Sequence, residues 1–129
     1  MPEPHPHWHA FAWNGSSVPP DGQARDPNAA VMPRELTAWF VKPVALHRGA
    51  YGTVEDAYRW LERELDGAVT VSGRVPQHEL ACALKHLKLR QDAYVGLYTS
   101  GGILVRALLT CPRTGADARP VRCPGWPSP

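Results

Sequence analysis

The stretch AYVGLYTSGGILVRALLT, residues 93–110, decides the fold. Two apolar runs rich in β-branched and aromatic residues flank Ser100-Gly101-Gly102, where glycine supplies the positive φ that a tight hairpin turn needs. The pattern predicts two antiparallel strands. In the first of them Val95 and Leu97 point to one side, while Tyr94, Gly96 and Tyr98 point to the other. If the aliphatic side faces a core, the two tyrosines flank a glycine-made depression on the opposite face. That is a candidate stacking or protein-docking platform.

Upstream of the hairpin, QHELACALKHLKLR (residues 77–90) follows Pro76, a residue suited to the first position of a helix. Leu80, Ala83, Leu84 and Leu87 recur at i, i+3, i+4 and i+7, which predicts an amphipathic helix. The same stretch holds His78-Glu79-x-x-Cys82, one residue away from the zinc-protease signature. No glutamate follows Glu79, however, and Lys88 stands where the longer signature places its third histidine. At 100° per residue, His78, Cys82 and His86 fall ~160–240° from Leu80, on the outward side and around Lys85. A solvated helix face is therefore expected there, not a metal centre. Cys82 as a nucleophile lacks an identifiable orienting carboxylate or oxyanion loop.

One helix earlier, TVEDAYRWLERELDG (residues 53–67) begins with a Thr53 cap and Asp56 in the capping-box position. Val54, Ala57, Tyr58, Leu61 and Leu65 then recur at helical spacing, and Gly67 ends the element. Trp60 lies ~120° from the centre of that stripe, between Asp56 and Glu64, and is expected to be partly exposed unless a partner or the chain's own arm covers it. Off-face aromatics of this kind supply much of the energy of buried contacts with partners.

Before this helix, residues 36–42 and 44–47 read as extended, interrupted by Pro43, which fits an edge or bulged strand. A short helix after Pro33 is the alternative. HRGAYGT (residues 47–53) reads as a two-glycine loop, where Arg48 and the following helix N-terminus are candidates for holding an anion. Twelve of the fourteen prolines lie in residues 1–33 or 111–129. Because proline fixes φ and removes a donor, these are read as irregular arms around a folded domain, residues 34–110. The expectation is thus an α+β fold of order β-α-α-β-β, with two helices on one face of a short antiparallel sheet and Pro-rich N- and C-terminal arms.

Composition bounds the function. The chain has 129 residues, 20% charged, with a net charge of +2, which suits one globular domain and not a strongly basic nucleic-acid coat. No stretch reaches the ~18 apolar residues of a membrane span, and no leader pattern opens the chain. With three cysteines and no C-x-x-C, a reducing, cytoplasmic setting is expected. Walker, dinucleotide and hydrolase-elbow motifs are absent.

Two further constellations remain. His5, His7 and His9 would point the same way from an extended strand, and with Cys111 or Cys123 from the opposite arm would make a mixed His/Cys zinc clip. The competing picture is a proline-punctuated tail with Trp8, Phe11 and Trp13 packed on the domain, which leaves no metal site and no cofactor. Cys111 and Cys123 form a disulfide in a third picture. The preferred functional expectation is a non-catalytic interaction module that meets a protein partner, or a second copy of itself, through Trp60, Tyr94 and Tyr98. The alternative is a nucleic-acid binder of winged-helix-like order with Lys85, Lys88, Arg90 and Arg106 on phosphates. A metal-binding protein or small enzyme using the His/Cys positions comes third.

Overall fold

The computed structural model describes residues 6–73, 76–113 and 123–124. Its centre is the predicted hairpin: β3 (Ala93–Thr99) and β4 (Gly102–Cys111) pair with Thr99 opposite Gly102, so Ser100-Gly101 form a two-residue loop. Gly102 takes a φ of +123°, and a Cβ there would overlap the carbonyl of Gly15. Only glycine suits both demands.

Beside β4 lies β1 (His7–Gly15), and beyond it β2 (His47–Tyr51), giving an antiparallel sheet of order β2-β1-β4-β3. Between β1 and β2 runs a short helix α1 (Asp21–Arg25); α2 (Val54–Leu65) and α3 (Gln77–Lys88) follow β2. The fold is α+β, and from β2 onward the order is β-α-α-β-β.

Both long helices pack on one face of the sheet. Trp8, Ala10 and Ala12 of β1, Ala93, Val95 and Leu97 of β3 and Leu108 of β4 meet Ala57, Trp60, Leu61 and Leu65 of α2 and Ala83 and Leu87 of α3. Alanines at 10, 12, 57 and 83 let the helix axes come close, and each of the large aliphatics contributes about 1.5–3 kcal/mol on burial. Thr53 Oγ1 accepts the Asp56 backbone N–H at 3.2 Å, as the capping pattern predicts, and Gly67 leaves the helix with φ +76°.

Helix α3 ends in a Schellman motif. The Arg90 N–H donates to the Leu87 carbonyl at 2.9 Å and the Gln91 N–H to the His86 carbonyl at 3.0 Å. Arg90 itself sits at φ 59°, the left-handed position that glycine usually fills. A side chain there costs about 1–2 kcal/mol.

Three sequence expectations are corrected. The proline-rich N-terminal arm contains β1, an interior strand paired on both sides. Its prolines flank a proline-free run, and because both faces of the strand are buried the run lacks the polar-apolar alternation of a half-exposed strand. Residues expected as strands at 36–47 instead form 3₁₀ turns, Leu36–Val41 and Val44–Leu46. Leu36, Trp39 and Phe40, at helical spacing, all pack toward the sheet, and that burial outweighs β-propensity. The stretch read as a glycine loop before α2 supplies β2.

The segment between β1 and β2 covers the second face of the sheet. Phe11, Ile103, Val105, Ala107 and Leu109 lie beneath Trp39 and Leu46, with Trp13, Met32, Leu36 and Phe40 at the margin. Lys42 knits this layer: its buried Nζ donates to the carbonyls of Gln23 (3.0 Å), Asp26 (2.8 Å) and Ala29 (3.2 Å). Among the described residues no helix is long and apolar enough to cross a membrane.

Candidate metal centre

The β1–β4 register sets His7 opposite Cys111 and His9 opposite Leu109. Because side chains alternate, His7, His9 and Cys111 all project to the covered face. Cys123 comes in from the tail. His7 Nε2 lies 3.0 Å from His9 Nε2, and Cys123 Sγ lies 3.2 Å from His9 Nε2 and 3.6 Å from His7 Nε2. One donor atom from each of His7, His9, Cys111 and Cys123 falls within 4.8 Å of all the others.

Zinc bonds near 2.0–2.3 Å imply tetrahedral edges of about 3.3 Å between two nitrogens and about 3.6–3.8 Å where sulfur takes part. The three separations of 3.0–3.6 Å lie at or just under these edges and the widest, up to 4.8 Å, lies above them, so the four donors are gathered but would close by up to about 1 Å around an ion. Three of the four residues are shielded from water, His7, His9 and Cys111 being 4%, 0% and 4% exposed, while Cys123 lies on the solvent side. Phe40 closes one side with an edge-on ring contact to His9 at 5.8 Å.

His47 of β2 completes a second layer. A register shift in the β1–β2 ladder between Ala10 and Phe11 brings its Nε2 to 2.9 Å from His9 Nδ1. Burial lowers the His47 pKa, partly offset by its hydrogen bond with the Gly49 backbone, and burial, aided by His7 and His47, holds His9 at about 3. Both rings are therefore neutral near pH 7. Of the two tautomers this contact allows, the one in which His47 Nε2 accepts from His9 Nδ1–H leaves the His9 Nε2 lone pair aimed into the cluster, as a metal ligand requires. Such an outer partner fixes the tautomer of metal-binding histidines in general.

Hydrogen bonding alone serves the cluster poorly. The single lone pair of His9 Nε2 faces both His7 Nε2 and Cys123 Sγ. A central cation instead satisfies the donor atoms at once. Burial pushes the Cys111 thiol up to about 12, reinforced by Cys123 and opposed by Arg113, so without a metal it stays protonated. A dication that displaces two thiol protons and meets two neutral imidazoles forms a site of zero net charge, which suits a buried location.

The end of β4 is held firmly. Asp92 Oδ1 accepts from the Thr110 N–H and the Arg113 guanidinium, both at 2.8 Å, and Oδ2 accepts a second Arg113 bond at 3.1 Å. This fork fixes the chain on both sides of Cys111. No known protein family, curated protein or solved structure matches the chain.

Of the sequence clip, His7 and His9 are joined by both cysteines, where one was expected; His5 lies outside the described residues. The cysteines are free thiols, not a disulfide. His47 went unmarked in the sequence, since a lone histidine before two glycines has no distinguishing spacing.

Other candidates sit elsewhere. Trp60 is a core residue, 5% exposed, with its ring 6.3 Å from that of Tyr51, so the expected surface anchor is corrected. The β2 strand passes beside α2 and covers the off-stripe flank. Tyr94 and Tyr98 do project from the face opposite the helices and are 45% and 62% exposed. Arg106, assigned to phosphate contact, is buried: its Nε donates to Glu64 Oε1 at 2.8 Å and an outer nitrogen to Asn14 Oδ1 at 2.7 Å. Lys85, Lys88 and Arg90 are exposed. Cys82 and His78 are 3.7 Å apart on the outward side of α3, with no third ligand gathered there among the described residues.

Proposed function

We propose that this chain is a zinc-binding protein whose ion is structural, held by His7 and His9 of β1, Cys111 of β4 and Cys123 of the tail. The convergence of these four donor atoms on one buried point supports this reading. Soft thiolates with imidazoles in tetrahedral arrangement select zinc, and four protein donors fill the shell, which is the signature of structural sites. The ion joins the first strand, the last strand and the tail, closing the loop from Cys111 to Cys123. Such a clip adds binding free energy to the stability supplied by the two core layers. Elemental analysis of protein purified without chelator tests the reading: one zinc per chain is expected, falling to a small fraction in Cys111→Ser. Metal-free protein of full stability would overturn it.

A second function is supported by the exposed tyrosines. Tyr94 and Tyr98, exposed on the face opposite the helices, with exposed Val71 at the adjoining sheet edge where its N–H meets the Tyr98 carbonyl, offer an apolar surface for a protein partner. In this narrowed form the interaction module no longer includes Trp60.

A further inference from the structure

A cavity of about 310 Å³ adjoins the candidate metal cluster, lined by the apolar Pro6, Trp8 and Pro112, by Thr110 and Arg90, and by His7 and Cys111 of the cluster itself. Its volume is in the range of small-molecule sites, which combine apolar walls with few polar anchors. The anchor here is unusual. Arg90 occupies the left-handed C′ position of the Schellman motif closing α3, where glycine relieves strain. Its guanidinium stands 5.1 Å from the centre of the Trp8 ring, and the Trp8 indole N–H donates to the Gln91 carbonyl at 3.0 Å, so the loop and the cavity wall are tied together.

We infer that this cavity binds a small organic carboxylate, its apolar body against Trp8 and the two prolines and its carboxylate on Arg90. The charge balance favours an anion. Lys88 and Arg90 are exposed at this end of α3, and Asp92, the nearest acid in sequence, is already held in a two-point pair by Arg113. A guanidinium next to an apolar recess recognises a carboxylate through paired N–H donors, and it also leaves room for an aromatic ring to stack. The strained backbone is then explained by function: an arginine is kept where a glycine would fold more easily. His7 and Cys111 belong to the cluster as well as to the cavity wall, whereas Arg90, Trp8 and the two prolines do not, so binding is compared with and without zinc.

Benzoate is the probe, benzamide its uncharged control, and the Trp8 indole N–H resonance the reporter, followed by NMR in zinc-loaded and in chelator-treated protein. Saturable movement of that resonance by benzoate is expected, with benzamide at least tenfold weaker. Arg90→Gly should weaken benzoate at least tenfold while leaving the melting temperature unchanged or higher. Equal binding of the two probes, no saturable shift in the millimolar range, or retained affinity in Arg90→Gly would overturn the inference. So would a lower melting temperature in Arg90→Gly, since that result assigns Arg90 to packing over Trp8. Arg90→Lys, which keeps charge but not the fork, should fall between wild type and Arg90→Gly; affinity no better than that of Arg90→Gly counts against charge as the anchor.

Discussion

His7 stands directly across the β1–β4 ladder from Cys111, and His9, two residues on, shares their face. Pairing of the first strand with the last therefore assembles three of the four donors before the tail contributes Cys123. Strand register and metal site are one feature of the chain.

Replacing ligands should follow that order. Cys111→Ser and His9→Ala each remove a donor held by the sheet, and both should abolish stoichiometric zinc and lower the melting temperature of zinc-loaded protein to that of the metal-free form. Cys123→Ser leaves the three sheet donors in place and should retain zinc with an affinity lowered by several orders of magnitude. Competition with a chromophoric chelator measures all three.

Stability of the metal-free protein should depend on pH on both sides of neutrality. His9 is held at about 3 against an ordinary 6.5, so between these values the unfolded chain binds more protons and stability falls as pH drops through that window. Cys111 is raised to about 12 from 9.0, so between those values the folded chain binds more protons and stability falls as pH rises. A plateau between about 6.5 and 9 is expected in thermal melts of chelator-treated protein. Zinc loading should add proton release, including that from Cys111, measurable by calorimetry in buffers of different ionisation enthalpy.

Trp60→Ala should cost about 3–5 kcal/mol, since the ring fills the core between α2 and β2. Denaturant unfolding checks this. A loss below about 1 kcal/mol would return Trp60 to the surface.

Glu64→Ala should destabilise the protein by about 2–3 kcal/mol, because it strips a charged partner from the buried Arg106. Arg106 keeps Asn14 Oδ1 and the Val105 carbonyl as acceptors, which holds the loss below the full price of an orphaned charge. Replacing both Arg106 and Glu64 by apolar residues should recover part of the loss in the same unfolding measurement.

Tyr94→Ser and Tyr98→Ser should leave stability within about 0.5 kcal/mol, as exposed side chains on a sheet face. If the tyrosine surface docks a partner or a second copy, the double variant will lose association in sedimentation experiments while its melting curve stays that of the wild type.

Periodicity made α2, α3 and β3 readable, because their apolar residues follow periods of 3.6 and 2.0 on one exposed and one buried side, whereas β4, buried on both faces, is legible as a continuous apolar run after the Gly-Gly turn. It failed at β1. There Trp8, Ala10 and Ala12 enter one core while His7, His9, Phe11 and Trp13 enter another, so burial on two faces removes the alternation and flanking prolines draw attention away. Residues 36–47 misled for a related reason: β-branched and aromatic side chains were recruited by 3₁₀ turns to roof the sheet. The metal cluster was half visible. The i, i+2 spacing of His7 and His9 is correct for an extended strand, but which cysteine faces them depends on pairing across the whole chain, and the His47 contact depends on a local register shift. The outward histidines and cysteine of α3, in contrast, were placed correctly by the helical wheel.

The most direct measurement is titration of the chelator-treated protein with cobalt(II), followed by absorption. The account predicts a 1:1 endpoint with tetrahedral ligand-field bands and thiolate-to-metal charge transfer, bleached by zinc, and loss of the charge-transfer intensity contributed by each sulfur in Cys111→Ser and Cys123→Ser. An octahedral spectrum, a sub-stoichiometric endpoint, or a spectrum unchanged by both cysteine replacements would contradict it.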